Sequence, residues 1–170
     1  MYKISRIPIY LLILAALTLQ LTVLGRVRIL GAKPDLMLTL VVFFGVFLGG
    51  RRGLEAGLAA GLLLDIFALD YFWLNTFTFG ITGLLAGVLG LKVIRESRMT
   101  QTLLVFFFTI FFMTFHFIIA SNFSRSANLS LAELTRVSIL PSAVYTSLVS
   151  IPIFSKLTGL FNLREEDDML

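Results

Sequence analysis

Cysteine is absent from this 170-residue chain, and only 14% of its residues are charged. The lack of cysteine excludes disulfide bonds, thiolate nucleophiles and cysteine-based metal sites. Histidine occurs once, and no HExxH, GxSxG or P-loop pattern is present. The acidic residues Asp65 and Asp70 are five positions apart, a spacing that points them about 140° away from each other on a helix. We therefore predict that the protein is not an enzyme and that it holds no cofactor or metal.

Apolar residues, in contrast, dominate the chain. They make up 58% of the sequence, and the mean hydropathy is +0.95. A soluble domain of this size has no core large enough to bury so much apolar surface, so the bilayer is predicted to solvate most of the chain. The formal net charge is +4, but the basic residues are scattered between apolar runs. That distribution is typical of the ends of membrane helices and argues against a nucleic-acid partner.

The apolar residues fall into six segments separated by short turns. The first has the basic start of a signal peptide, but no small-residue cleavage site follows it, so we interpret it as a retained span. The second and third are shorter than the roughly 20 residues that a straight crossing needs. The sequence thus predicts an all-α integral membrane protein, one domain over residues 1–170, folded as a compact bundle of six transmembrane helices. The predicted spans are about 7–24, 35–50, 53–70, 75–94, 101–122 and 137–156.

The distribution of lysine and arginine predicts the orientation of these spans. With the N-terminus inside, nine of the 14 basic residues lie in cytoplasmic segments and five lie in outer segments. Positive charge is enriched on the cytoplasmic side of membrane proteins. Both termini are therefore predicted to be cytoplasmic, and the acidic stretch 163–170 is predicted to be a cytoplasmic tail.

Glycines recur at helical spacing in the third and fourth segments. Residues four apart share a helix face, and a glycine row lets two helix backbones approach closely. Two uses of such rows stay open at this point, which are packing inside the bundle and docking of another subunit's helix. The rows consist of Gly53, Gly57 and Gly61 in the third segment, continued by Asp65, and of Gly80, Gly83, Gly87 and Gly90 in the fourth.

Four polar residues lie at a similar depth in the predicted bundle. At a rise of 1.5 Å per residue, Asp65 lies about 18 Å along its helix from Gly53, just past the middle of the membrane. A carboxyl group at that depth is expected to face protein or trapped water. We hypothesise one buried polar layer; the alternative is that each polar group is satisfied locally and shares the depth by chance. The residues of this layer are Gln20, Asp65, Thr82 and His116.

The run from residue 34 to residue 90 carries motifs of a known family. Pro34 and Asp35 open a leucine-rich span, and a short polar turn follows it. A small-residue helix then ends in GLLLD (61–65), and Leu-Asn (74–75) precedes a second glycine-rich span. In these motifs, and in its length and six-span layout, the chain resembles the rod shape-determining protein MreD family. The motif residues are Pro34, Asp35, Asp65 and Asn75.

This resemblance implies a function and a set of partners. The chain would be a multi-pass protein of the bacterial cytoplasmic membrane, a non-enzymatic scaffold of the cell-elongation machinery that supports lateral peptidoglycan synthesis and rod shape. The direct partner would be MreC, which has a single membrane helix. MreB, the glycan polymerase RodA and a class B penicillin-binding protein would belong to the wider complex.

The resemblance also brings a rival function. The family is said to share its helix arrangement with the substrate-binding S components of energy-coupling-factor vitamin transporters. A small vitamin-like ligand would then occupy an outward-facing pocket. Against this alternative, the first span lacks the AxxxA motif by which S components dock, since Ala15 and Ala16 are followed four positions later by Leu19 and Gln20.

Overall fold

The structure is a computed structural model that describes residues 5–24, 33–67, 73–91, 97–123 and 135–161. Within these ranges the regular structure is entirely helical, which confirms the predicted all-α class. The acidic tail (163–170) lies outside the described residues. The six helices are α1 (Arg6–Leu19), α2 (Leu36–Leu48), α3 (Gly50–Phe67), α4 (Leu74–Gly90), α5 (Arg98–Phe123) and α6 (Leu140–Leu160).

Two of these helices are long and apolar enough to cross a bilayer, over Arg98–Ile119 in α5 and over Leu140–Leu160 in α6. The shorter apolar helices cover Arg6–Thr22, Leu36–Leu48 and Leu74–Gly90. These lengths fit a membrane protein. The six crossings and the cytoplasmic termini stay predictions.

Helix α2 forms the centre of the bundle. All 13 of its residues are buried, and it packs against every other helix. A helix that is enclosed on all sides has no polar face to present, which explains why Thr39 is the one polar residue in its sequence. Aromatic side chains fill the space beside it: the rings of Phe43 and Phe154, on α6, meet edge to face with centroids 5.1 Å apart.

A tight turn joins α2 to α3. Gly49 has a φ of 88°, a left-handed conformation that glycine adopts without steric cost, and α3 begins at the next residue. Arg51 and Arg52 lie in the first turn of α3 near Glu55, and Glu55 accepts a hydrogen bond of 3.1 Å from Arg6 on α1. This pairing ties α1 to α3 at the end of the bundle that is predicted to be cytoplasmic.

Two helices deviate from regular geometry at their ends. Helix α1 continues as a π-helical turn over Gln20–Leu24, and a second π-helical turn, Thr135–Ile139, precedes α6. The widened turns lie on the two helices whose ends approach the start of α2. Pro141 lies in the first turn of α6. Proline costs no hydrogen bond there, because the first N–H groups of a helix have no partner within the helix.

Candidate functional site

The two glycine rows meet each other along the α3–α4 interface. A Cβ atom added to Gly53 would collide with the carbonyl oxygen of Gly83, and a Cβ atom added to Gly83 would collide with that of Gly53. Gly57 lies against the backbone of Phe79 in the same way, and Gly61 against the backbone at Thr76. The backbones of α3 and α4 are thus in direct contact over most of their length, and all seven glycines of the two rows are buried.

Helix α2 packs closely against the glycines of α4 as well. A Cβ atom on Gly45 would lie 2.7 Å from the carbonyl oxygen of Gly83, and one on Gly90 would lie 2.7 Å from the Cα atom of Val46. Gly80 differs from the others, because its added Cβ would meet only side-chain atoms, the closest being Cδ2 of Leu58 at 2.9 Å. Within the chain, therefore, the glycines serve the packing of α2, α3 and α4.

Asp65 holds the first turn of α4 from the end of α3. Its side chain is completely buried. Its Oδ1 accepts a hydrogen bond from the backbone N–H of Asn75 (3.0 Å), and its Oδ2 accepts from the backbone N–H (2.8 Å) and the hydroxyl (2.6 Å) of Thr76. The first N–H groups of a helix have no partner within that helix. Asp65 therefore caps α4 from another helix, close to the adjoining glycine contact.

A second polar cluster holds the start of α2. Asp35 is the N-cap residue, and its Oδ1 accepts a hydrogen bond from the backbone N–H of Leu38 (2.9 Å). The backbone N–H of Met37 donates to Oε1 of Gln20 (3.1 Å), which comes from the π-helical turn after α1. The backbone N–H of Asp35 donates to the hydroxyl of Thr146 on α6 (3.2 Å). One cluster thus joins α1, α2 and α6.

The four residues of the hypothesised polar layer are used in different ways. Gln20 bonds to the start of α2 and Asp65 to the start of α4, whereas the Thr82 hydroxyl donates to the carbonyl oxygen of Thr78 in its own helix (2.8 Å). His116 is half-buried beside Phe112, with ring centroids 6.0 Å apart, and lies within electrostatic range of Asp65. Two of the four residues therefore bond to two different helix starts and the other two do not, and a single functional layer stays a prediction.

A cavity of about 340 Å³ opens beside the Asp35 cluster, between the π-helical turn after α1, the start of α2, the middle of α5 and the start of α6. Its apolar wall comes from Pro34, Leu38, Phe112 and Met113. Its polar lining includes Gln20 and Asp35, which belong to the cluster described above, and the exposed Lys33. Hydroxyl groups complete the lining, from Thr109 on α5 and from Ser138, Ser142 and Thr146.

The hydroxyl residues of this cavity carry a signal that sequence reasoning missed. Ser138, Ser142 and Thr146 are spaced four apart, and Ser150 continues the row. This is the spacing of Gly53, Gly57 and Gly61, and it places Ser142, Thr146 and Ser150 along one face of α6, with Ser138 in the π-helical turn before it. A hydroxyl row on a mostly apolar helix predicts a buried polar contact or a cavity, and Ser142 and Thr146 line this cavity.

These features define a class of protein: a helical bundle of membrane-protein type, whose buried glycines pack helices together and whose buried carboxyl groups cap helices. Among the described residues, no three His, Asp or Glu side chains are grouped so that they could hold a metal ion. The chain matches the family model for the rod shape-determining protein MreD over residues 2–163, so it belongs to the MreD family. The family resemblance noted for residues 34–90 is thereby confirmed and extends over nearly the whole chain.

No curated protein matches the chain, and no solved structure matches it either. The expected likeness to the S components of vitamin transporters therefore stays a prediction. Membership of the MreD family implies a membrane protein with a role in rod shape determination, and this family is a shape-determining family, not a known enzyme family.

Proposed function

We propose that this chain is a non-enzymatic scaffold of the bacterial cell-elongation machinery, which binds MreC in the cytoplasmic membrane and supports lateral peptidoglycan synthesis. The observation that carries the proposal is the match to a shape-determining family over residues 2–163. The described polar groups support it, because Asp65 and Asp35 are both engaged in capping helices. MreB, RodA and a class B penicillin-binding protein would join through the wider complex.

The packing of the glycines narrows where a partner helix binds. The rows on α3 and α4 face each other, so a partner has to use outward faces of the bundle. Every helix except α2 offers exposed apolar side chains that suit such a contact; examples are Leu11 on α1, Leu62 on α3, Leu84 on α4, Phe107 on α5 and Leu148 on α6. Membrane helices associate through close packing, so one of these faces should carry the partner.

We expect the tagged chain to purify as a stoichiometric complex with MreC of the same organism when the two are co-expressed and extracted in mild detergent. The complex should survive gel filtration. An MreC variant whose membrane helix is replaced by an unrelated apolar helix serves as the control and should be lost from the complex. Recovery of the chain without MreC in every detergent tested would contradict the proposal.

A photo-crosslinking residue placed in turn at Leu11, Leu62, Leu84, Phe107 or Leu148 then locates the contact. Crosslinks to MreC should concentrate at one position or at two on neighbouring helices, since one partner helix covers one face. Equal labelling at all five positions would indicate chance encounters in the membrane and would count against a specific interface.

The cavity beside Asp35 supports the second candidate, a substrate-binding component of a micronutrient transporter. Ligand pockets in proteins are typically concave, with apolar walls and a few placed polar groups, and this cavity has both. Isothermal calorimetry of the purified chain against vitamins separates the two candidates. Nanomolar binding of a vitamin by a chain that fails to bind MreC would favour the transporter component.

A further inference from the structure

The cavity between α1, α2, α5 and α6 has no part in the proposed scaffold, and its chemistry indicates what it holds. Its volume of about 340 Å³ lies at the low end of the range for small-molecule sites. Polar side chains line it from several helices in a bundle whose other interfaces are mostly apolar. Such a concentration of polar groups inside a membrane bundle is a mark of a functional site.

The lining disfavours an anion deep in the cavity. A helix N-terminus attracts anions through its free N–H groups, but the N–H groups of Met37, Leu38 and Thr39 already donate to Gln20 and to Asp35. The Asp35 carboxyl group in the wall also repels a second negative charge. The start of α2 is therefore closed to a phosphate or carboxylate.

The lining instead offers hydrogen-bond acceptors. The carboxyl group of Asp35 interacts with the backbone of Leu38 and Met37 and with the Gln20 side chain, and a carboxylate has about four acceptor positions, so one is left for a ligand. The Thr109 hydroxyl donates its proton to the carbonyl oxygen of Val105, so its oxygen is left as an acceptor. Ser138, in the π-helical turn before α6, and Ser142, in the first turn of α6, add hydroxyl oxygens. A primary ammonium group carries three donors and a positive charge, and it matches this set.

Lys33 supplies the opposite charge at the rim. Its side chain is exposed, and it precedes Asp35 by two residues, so a cation and an anion border the same cavity. A ligand with only a positive charge would leave Lys33 as a repulsive neighbour. A zwitterion, with its anionic group at Lys33 and its ammonium group at Asp35, satisfies both.

We propose that this cavity binds a small zwitterion of the phosphoethanolamine type, with the ammonium group on Asp35 and the phosphate on Lys33. This chemistry is shared by the headgroup of phosphatidylethanolamine and by free glycerophosphoethanolamine. Phe112 and Met113 provide the apolar wall beside the ligand's carbon atoms. The proposal stands apart from the scaffold role, because it is argued from the cavity lining alone and does not depend on MreC binding.

The test uses the full chain in nanodiscs made of phosphatidylcholine alone, or with phosphatidylethanolamine or phosphatidylglycerol added. The readout is the midpoint of thermal unfolding. We expect added phosphatidylethanolamine to raise the midpoint above its value in phosphatidylcholine alone. Added phosphatidylglycerol should leave the midpoint at that value. Choline is the critical comparison, since its quaternary ammonium group has the charge of ethanolamine but donates no hydrogen bond. Equal midpoints of unfolding in all three kinds of nanodisc would overturn the proposal.

Variants tie the effect to the cavity. Asp35→Asn keeps an N-cap of equal quality, so α2 should stay folded while the charge is removed. Its affinity for the ethanolamine headgroup should fall about tenfold or more, as expected for the loss of a charge-assisted hydrogen bond. Glu55→Gln, at the other end of the bundle, is the matched control and should retain full affinity. Undiminished binding by Asp35→Asn would overturn the proposal.

A second pair of variants reports on the α6 wall. Ser142→Ala should weaken binding, whereas Ser150→Ala, two turns further along the same row and outside the lining, should not. Titration with soluble glycerophosphoethanolamine in phosphatidylcholine nanodiscs then separates the two sources. Stabilisation by the soluble compound shows that a free solute is enough, and stabilisation by the lipid alone assigns the site to a bilayer headgroup.

Discussion

Gly83→Ala is expected to destabilise the folded bundle by about 3 kcal/mol or more, which is the upper range for overpacking a tight core. The added methyl group would collide with the carbonyl group of Gly53 and would lie 3.0 Å from Cγ1 of Val41. Backbone atoms cannot rotate away as a side chain can. Helices α3 and α4 would therefore have to separate along their whole interface.

Two glycines in the same chain provide matched controls for this substitution. Gly80→Ala, one turn earlier in α4, would have as its nearest neighbours the flexible side chains of Leu58 and Leu54, so its cost should be much smaller. Gly159→Ala, near the end of α6, has nothing within 4 Å of the added atom and should be neutral or slightly stabilising. Unfolding in a denaturing detergent titration measures all three. Equal losses for Gly83→Ala and Gly80→Ala would contradict a backbone contact between α3 and α4.

Asp65→Leu is expected to insert normally into the membrane but to destabilise the bundle by about 3 kcal/mol or more. The substitution leaves two backbone N–H groups and one hydroxyl group at the start of α4 without an acceptor, and each buried unsatisfied donor costs about 1–3 kcal/mol. Asp65→Asn retains one acceptor oxygen and should fall between the wild type and Asp65→Leu.

Two threonines of α4 refine this test. Thr76→Val removes a hydroxyl that donates to Asp65, whereas Thr82→Val removes one that bonds only to its own helix. Thr76→Val should therefore be the more destabilising of the two in the same detergent titration. Because the proposed scaffold acts through a folded bundle, cells that depend on Asp65→Leu should also lose rod shape. Normal stability and normal shape together would refute a capping role for Asp65.

The features of the α3–α4 interface that could be predicted from the sequence are those that repeat. The four-residue spacing of Gly53, Gly57 and Gly61 predicted a flat helix face, and the burial of Asp65 followed from the cost of a carboxyl group in a bilayer. The groups that donate to Asp65 could not be predicted. They are mainly backbone N–H groups, which every residue except proline carries, so the sequence does not distinguish the two that bind Asp65. The contact between the two glycine rows could not be predicted either, because residue spacing identifies a helix face but does not say which helix packs against it.

The cavity was harder to predict, for a physical reason. Depths estimated from a rise of about 1.5 Å per residue placed Gln20 at the level of Asp65, on the assumption of regular helices. In the structure Gln20 begins a π-helical turn and bonds to the start of α2. Asp35 was noted as a motif residue, yet its neighbours come from α5 and α6, more than 70 residues further along the chain. The hydroxyl row on α6 was visible at four-residue spacing, and it would have pointed to this end of the bundle.

The complete burial of α2 also constrains how the chain matures in a cell. A helix of 13 residues is about 20 Å long, too short to span a bilayer comfortably by itself. Its protein neighbours replace lipid on every side, and two of them, α5 and α6, are synthesised last. Until α6 is in place, Phe43 lacks the ring of Phe154 beside it, and one side of α2 has no protein neighbour. The enclosure of α2 is therefore completed only by the last helix to be made.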